Sequence, residues 1–189
     1  MSKKLIVIEG FDRCGKDTLM SDLSNINSDF YVYSNDLTGL PKYDKEQEEF
    51  LVWLNRFINK QVNDLNELFE THDTIVMGRL FISDEVYSTL FNREHTTIKY
   101  MDQLKNIEII HYCLLFKDYK EYCDRLKKIG DNNIQYNKED FDKINQLYVD
   151  KLKESNLKYY INYIYSYNTK RNILEDFLKY YKMVKNKKI

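Results

Sequence analysis

Short β-branched runs alternate along this chain with longer stretches whose apolar residues recur every three or four positions. Residues 5–9, 30–33, 74–77, 109–116 and 159–165 are the short runs, and each reads as a strand. The first, from Leu5 to Glu9, has neighbouring apolar residues on both sides of the pleat, as a strand buried inside a parallel sheet does. Residues 18–23, 45–71, 84–91, 100–104, 119–128, 138–154 and 172–184 carry helical spacing. The 45–71 stretch is the clearest, with Phe50, Leu51, Leu54, Ile58, Val62, Leu65 and Phe69 on one stripe. Residues 34–43, holding Gly39 and Pro41, and the polar stretch 130–137 read as loops. Strands alternating with helices predict an α/β fold, with a five-stranded parallel sheet covered by helices on both faces. No repeat, linker or low-complexity block interrupts the 189 residues, so the expectation is a single domain.

Composition narrows the partners. Hydrophobic residues make up 43% and charged residues 31%, which is the balance of a globular chain. Lys and Arg number 29 against 30 Asp and Glu, so no basic excess argues for nucleic acid. No run approaches the ~20 apolar residues that would cross a membrane, and the N-terminal run is too short for a signal peptide. Cys14, Cys113 and Cys123 are odd in number and lack metal spacing, so a reducing, cytoplasmic setting is expected. The chain has no alanine and only five glycines, yet Gly10 and Gly15 fall in one short loop.

That loop carries the chemistry. Gly10-Phe11-Asp12-Arg13-Cys14-Gly15-Lys16 has the spacing G-x-x-x-x-G-K, between a predicted strand and a predicted helix. In such a phosphate loop the glycines let backbone N–H groups turn inward around phosphates. The lysine reaches the β- and γ-phosphates, and the helix N-terminus adds its dipole. The following position ordinarily holds a Ser or Thr for magnesium, and here it is Asp17.

The loop, with Asp-Arg inside it, resembles that of the thymidylate kinases, a family of P-loop nucleoside monophosphate kinases. The likeness runs on through Gly78-Arg79-Leu80 with Ser83 and Tyr87, through Arg56 on the long second helix, and through Tyr136, Phe141 and Tyr148 late in the chain. It implies a three-layer P-loop NTPase fold with a small lid at about residues 128–138, homodimeric assembly, and small-molecule nucleotide substrates. The implied reaction is ATP- and Mg2+-dependent phosphorylation of a deoxynucleoside monophosphate, dTMP to dTDP foremost. The resemblance assigns ATP to Gly10, Cys14, Gly15, Lys16, Asp17, Thr18 and Arg125, with Lys128 an alternative to Arg125. It gives Arg13 the transferring phosphoryl group, Asp12 the sugar 3′-hydroxyl and Arg79 the acceptor phosphate. Arg56 would bond the base, Tyr87 would stack on it and Tyr136 would close from the lid.

Three positions depart from the family pattern. Asp17 replaces the magnesium-binding hydroxyl. Gly78 replaces the acid before the strand-three arginine. Ser34, Asn35 and Asp36 stand where an arginine follows the second strand. Val52 also replaces an aromatic one turn before Arg56, with Trp53 adjacent. The first two departures read together as a carboxylate moved from strand to loop, making Asp17 the metal ligand, with Thr18 the alternative. The rival reading is a degenerate nucleotide-binding protein, because an uncompensated Asp17 repels polyphosphate. The acceptor departures leave a broader monophosphate kinase or a deoxynucleoside kinase open. His111, inside an apolar strand, is expected to be a satisfied core residue. No Asn-Lys-x-Asp element for guanine and no Ser-His-Asp or zinc pattern is present.

Overall fold

The computed structural model describes residues 3–26, 28–35, 47–93, 100, 103–104, 106–130, 136–154, 160–164 and 172–186. In chain order the elements are β1 (Lys4–Gly10), α1 (Lys16–Ser24), β2 (Tyr31–Tyr33), α2 (Gln47–Leu68), β3 (Thr74–Gly78), α3 (Phe81–Leu90), β4 (Glu108–Leu115), α4 (Tyr119–Lys128), α5 (Lys138–Glu154), β5 (Tyr160–Ile164) and α6 (Ile173–Asn186). The strands pair in parallel, in the order β2-β3-β1-β4-β5. Register sets Leu5 opposite both Ile75 and Ile109. β1 therefore lies inside the sheet, and the loop that leaves it opens at the carboxyl edge, where parallel α/β sheets bind ligands.

The continuous apolar character of β1 follows from burial on both sides. Leu5 and Val7 join Ile75 and Met77 in a core closed by Ile58, Val62 and Leu65 of α2. Ile6 and Ile8 join Val76 and Ile110 in a second core with Leu19 and Leu23 of α1 and Phe177 of α6. α4 and α5 close this second core around the phosphate-loop residue Phe11. Its ring lies 5.1 Å from Phe141, 5.3 Å from Tyr122 and 5.5 Å from Tyr136. Full burial of one phenylalanine is worth roughly 2–3 kcal/mol, so Phe11 anchors the loop from within.

Several boundaries differ from expectation. α1 begins at Lys16, directly after Gly15, whose φ of 96° makes it a left-handed cap. α3 begins at Phe81, three residues before the apolar periodicity suggested, because a carboxylate from β1 caps it. Where a helix was expected over 100–104, Tyr100, Gln103 and Leu104 have 3-10 geometry, and residues 101–102 lie outside the described residues. Residues 131–135 of the expected lid and Asp36 lie outside the described residues. No described helix is long and apolar enough to cross a membrane.

Gly10 has a φ of 132°, and a Cβ added there would sit 1.9 Å from the backbone oxygen of Leu114. A side chain cannot be accommodated without moving β4. Gly10→Ala is expected to lower stability by about 3 kcal/mol or more, read as a drop in the urea midpoint.

Candidate active site

The loop begins at the end of β1 and turns through two left-handed residues, Arg13 (φ 64°) and Gly15 (φ 96°), into α1. Phe11 N–H is held by the Leu114 carbonyl at 3.1 Å. The buried Lys16 folds back across the loop. Its ammonium donates to the Phe11 carbonyl and lies 3.5 Å from Cys14 Sγ. Burial pulls the Lys16 pKa down, and Arg79 adds to that, while Cys14 and Asp12 oppose it. An ammonium at a helix N-terminus, paired with no carboxylate among the described residues, suits a phosphate ligand.

Arg79 arrives from the opposite side. It follows β3 with a φ of 46°, and its N–H donates to the Ile8 carbonyl at 2.9 Å. This left-handed turn directs the guanidinium back over the loop. There it forms an ion pair with Asp12 and lies 5.9 Å from the centre of the Tyr87 ring. Asp12 also accepts a hydrogen bond from Tyr136 at 3.1 Å. Burial alone would raise the Asp12 pKa, but the charges of Arg79 and Lys16 outweigh it and hold the carboxyl below its ordinary 3.8. Burial opposes the charge on Arg79 as well, yet Asp12 raises its pKa above the ordinary arginine range. The two side chains remain 39% and 24% exposed, so a ligand can reach both.

Fold position thus gathers Asp12, Lys16, Arg79, Tyr87 and Tyr136 into one cluster at the mouth of the sheet. Arg125 joins from α4, where its Nε donates to the Arg13 carbonyl at 3.3 Å. Arg13, Asp17 and Thr18 are exposed along the loop and the first turn of α1. Arg56 is the exception. It is exposed, on the side of α2 turned away from Ile58, Val62 and Leu65, with Val52 exposed one turn earlier. No hydrogen bond among the described residues ties it to the cluster.

Sequence reasoning missed the groups beneath. The fully buried carboxylate of Glu9 accepts from the backbone N–H groups of Leu80 (3.1 Å), Ile82 (3.2 Å) and Ser83 (3.2 Å), and from the Ser83 hydroxyl. It caps α3, whose own cap residue Leu80 supplies no side-chain bond. An acid at the end of an apolar strand, directly before the first glycine of the loop, was the only signal available. His111 corrects an expectation. It is fully buried, but neither ring nitrogen has a hydrogen-bond partner among the described residues, and Nδ1 lies 3.8 Å from Glu9. Burial lowers its pKa and Glu9 opposes that. At the departures, Asn35 donates to the Gly78 carbonyl at 2.5 Å and accepts from the buried Gln61 at 2.7 Å. A neutral amide chain therefore occupies the end of β2 and β3.

Protein-family models and curated protein sequences give no match to this chain. Solved structures do. YorR protein from Bacillus subtilis, in complex with phosphorylated GDP, aligns with a TM-score of 0.59 at 18% identity, over 98% of this chain and 100% of that one. The thymidylate kinase of Candida albicans, described with broad substrate specificity, aligns at 0.62 and 15% identity, over 98% and 93%. The deoxyadenosine kinase of M. mycoides with bound dATP aligns at 0.62 and 14% identity, over 95% and 99%. The chain shares its fold with these three structures. At these identities the likeness concerns fold, and it covers both nucleotide and nucleoside kinases.

The Asp12–Arg79 pair should leave a signature in stability against pH. A carboxyl whose folded pKa is depressed stabilises the fold above its ordinary value, and that contribution is lost as pH falls through the folded value. Asp12→Asn is expected to cost about 1–2 kcal/mol at pH 7, less than a fully buried pair because both partners are partly exposed. The difference from wild type should shrink steadily below pH 3.8. Urea midpoints of both proteins between pH 7 and pH 3 check this, and a difference independent of pH would rule it out.

Proposed function

We propose that this chain is an ATP- and magnesium-dependent cytoplasmic kinase that phosphorylates a deoxynucleoside monophosphate, with dTMP to dTDP the foremost reaction. The observation that carries the proposal is Arg79. A left-handed turn holds it over the phosphate loop, against Asp12 and Tyr87. A guanidinium there can clamp an acceptor phosphate in two-point fashion opposite the Lys16 ammonium.

Phosphoryl transfer needs positioning and charge neutralisation more than covalent help. Lys16 and the backbone of Gly10–Gly15 cradle the donor phosphates. Arg13, exposed within the loop, meets the phosphoryl group in transit, and Arg125 steadies the loop from α4. Asp12 and Tyr136 hold the sugar, Tyr87 faces the base, and Arg56 reaches the base only after a change of side-chain direction. The partly exposed aromatic row Phe50, Trp53 and Phe57 on α2 supports association with a second copy.

Magnesium is tested by the donor set. Among the described residues no three His, Cys, Asp or Glu side chains gather as ligands. A nucleotide-bound magnesium takes most of its ligands from phosphate and water and needs only one or two carboxylates. Asp17 supplies one, exposed in the first turn of α1. A Cβ at Gly78 would lie 3.8 Å from Met20 Cγ, and Met20 is one helical turn beyond Asp17. Asp17 shares the side of α1 that holds Met20, and this supports a carboxylate on the loop standing in for one on the strand. When bound, the ion neutralises charge developing on the transferring phosphates.

A second reading rests on the Asn35–Gly78–Gln61 amide chain. It places no fixed positive charge at the end of β2, which suits an uncharged nucleoside acceptor. A third, a catalytically degenerate nucleotide-binding protein, follows if Asp17 repels the phosphates.

A coupled assay with ATP and magnesium, offering dTMP, the other deoxynucleoside monophosphates and the bare nucleosides, separates these. Turnover of dTMP supports the first reading. Turnover of nucleosides alone selects the second, and nucleotide binding without turnover selects the third. Asp17→Ala should lower kcat about 100-fold or more, and Asp17→Ser combined with Gly78→Asp should recover activity. Unchanged turnover in Asp17→Ala would sink the relocated ligand.

A further inference from the structure

A buried chain of polar groups runs beneath the site and reaches the phosphate loop only through a backbone carbonyl. It starts at the Gly10 carbonyl, the entry to the phosphate loop, which accepts from the Tyr148 hydroxyl at 2.9 Å. Tyr148 Oη also lies 3.0 Å from Ser83 Oγ, and since Ser83 gives its own proton to Glu9, the single Tyr148 proton is the one shared between the Gly10 carbonyl and Ser83 Oγ. Ser83 donates to the Glu9 carboxylate, which also gathers the N–H groups of Leu80, Ile82 and Ser83. Glu9 and Tyr148 are fully buried and Ser83 is 5% exposed.

Three polar side chains in a core are costly unless every contact is made, and an apolar set of the same shape would pack there at no such cost. The chain's ends say what it does. One end holds the peptide of Gly10 (φ 132°), from which the loop departs. The other fixes the residues directly after Arg79 (φ 46°). Both are backbone conformations that persist only when their surroundings hold them. Ser83 and Tyr148 belong to α3 and α5, and Tyr136, the partner of Asp12, precedes α5 directly.

We infer that Tyr148 is a positioning residue. Its hydroxyl ties the phosphate loop to the first turn of α3, and so sets the separation between the donor phosphates and the Arg79 guanidinium. The inference rests on the phosphotransfer reading for its effect on rate, but the tie itself is a property of the fold. Loss of the hydroxyl leaves each substrate's own contacts in place and loosens their mutual alignment. The cost falls on kcat, with KM for either substrate nearly unchanged.

The test compares Tyr148→Phe with Ser83→Ala, which cuts the chain in its middle. Tyr180→Phe is the control, since it removes a buried hydroxyl on α6 that has no partner among the described residues. Amide hydrogen exchange without ligand is read first. Tyr148→Phe and Ser83→Ala should each speed exchange about tenfold in both residues 10–16 and residues 79–83, while Tyr180→Phe changes neither. In the kinase assay kcat should fall about tenfold in each single variant, and the double variant should be no slower than the worse single, as expected of one shared connection. Faster exchange confined to α5, multiplicative losses in the double variant, or a loss carried by KM would each overturn the proposal. Exchange needs no substrate, so it decides the tie even if the assay finds no acceptor.

Discussion

At the carboxyl end of β1 one buried carboxylate, Glu9, accepts three backbone N–H groups and a hydroxyl from the start of α3. A charge is stable at full burial only when its lone pairs are met, and the N-terminus of a helix is where unmet N–H groups are concentrated. Each of the two needs the other. Their pairing starts α3 at Phe81, and Arg79 is thereby held in a left-handed conformation that a free chain would rarely adopt. The placement of Arg79 over the phosphate loop therefore follows from an acid on a neighbouring strand.

The charged groups above it are two cations and one anion. Lys16, Arg79 and Asp12 share a small, partly dry volume, where each opposite charge offsets some of the cost of burying its partner. Asp12 sits between Arg79 and Tyr136, so the loop, the turn after β3 and the segment entering α5 converge on one carboxylate. Phe11 serves the same convergence from the apolar side, its ring packed among residues of α4 and α5. Loop, strand end and later helices are thus joined by a charge cluster above and an aromatic cluster below.

The departures from the thymidylate kinase pattern have different physical characters. Replacing an acid by Gly78 leaves space beside Met20 and keeps the backbone carbonyl available to Asn35. Replacing an arginine after β2 by Ser34, Asn35 and Asp36 removes a positive charge, and Asn35 leaves amide hydrogen bonds in its place. On the proposed reading, one change redistributes charge around the donor and the other reduces positive charge around the acceptor.

Local signals were enough for the strands, most helices and the phosphate loop, because these depend on periodicity and on residues close in sequence. Gly10, Gly15 and Lys16 are neighbours in the chain, and their spacing alone encodes a turn around phosphate. Arg79 and Tyr136 were legible through resemblance to a family, although nothing local brings them to Asp12. The resemblance named Ser83 and Tyr148, but their linkage to Glu9, the direction of Arg56 and the His111 nitrogens left without a partner among the described residues were not legible. Hydrogen-bond partners some seventy residues apart leave no periodic trace, and the side of a helix that meets solvent depends on what packs against the other. The sequence determined an α/β chain with a phosphate loop. Only the tertiary structure decided which charges meet above that loop and which buried groups hold it in place, because burial and pairing arise when distant segments share one volume.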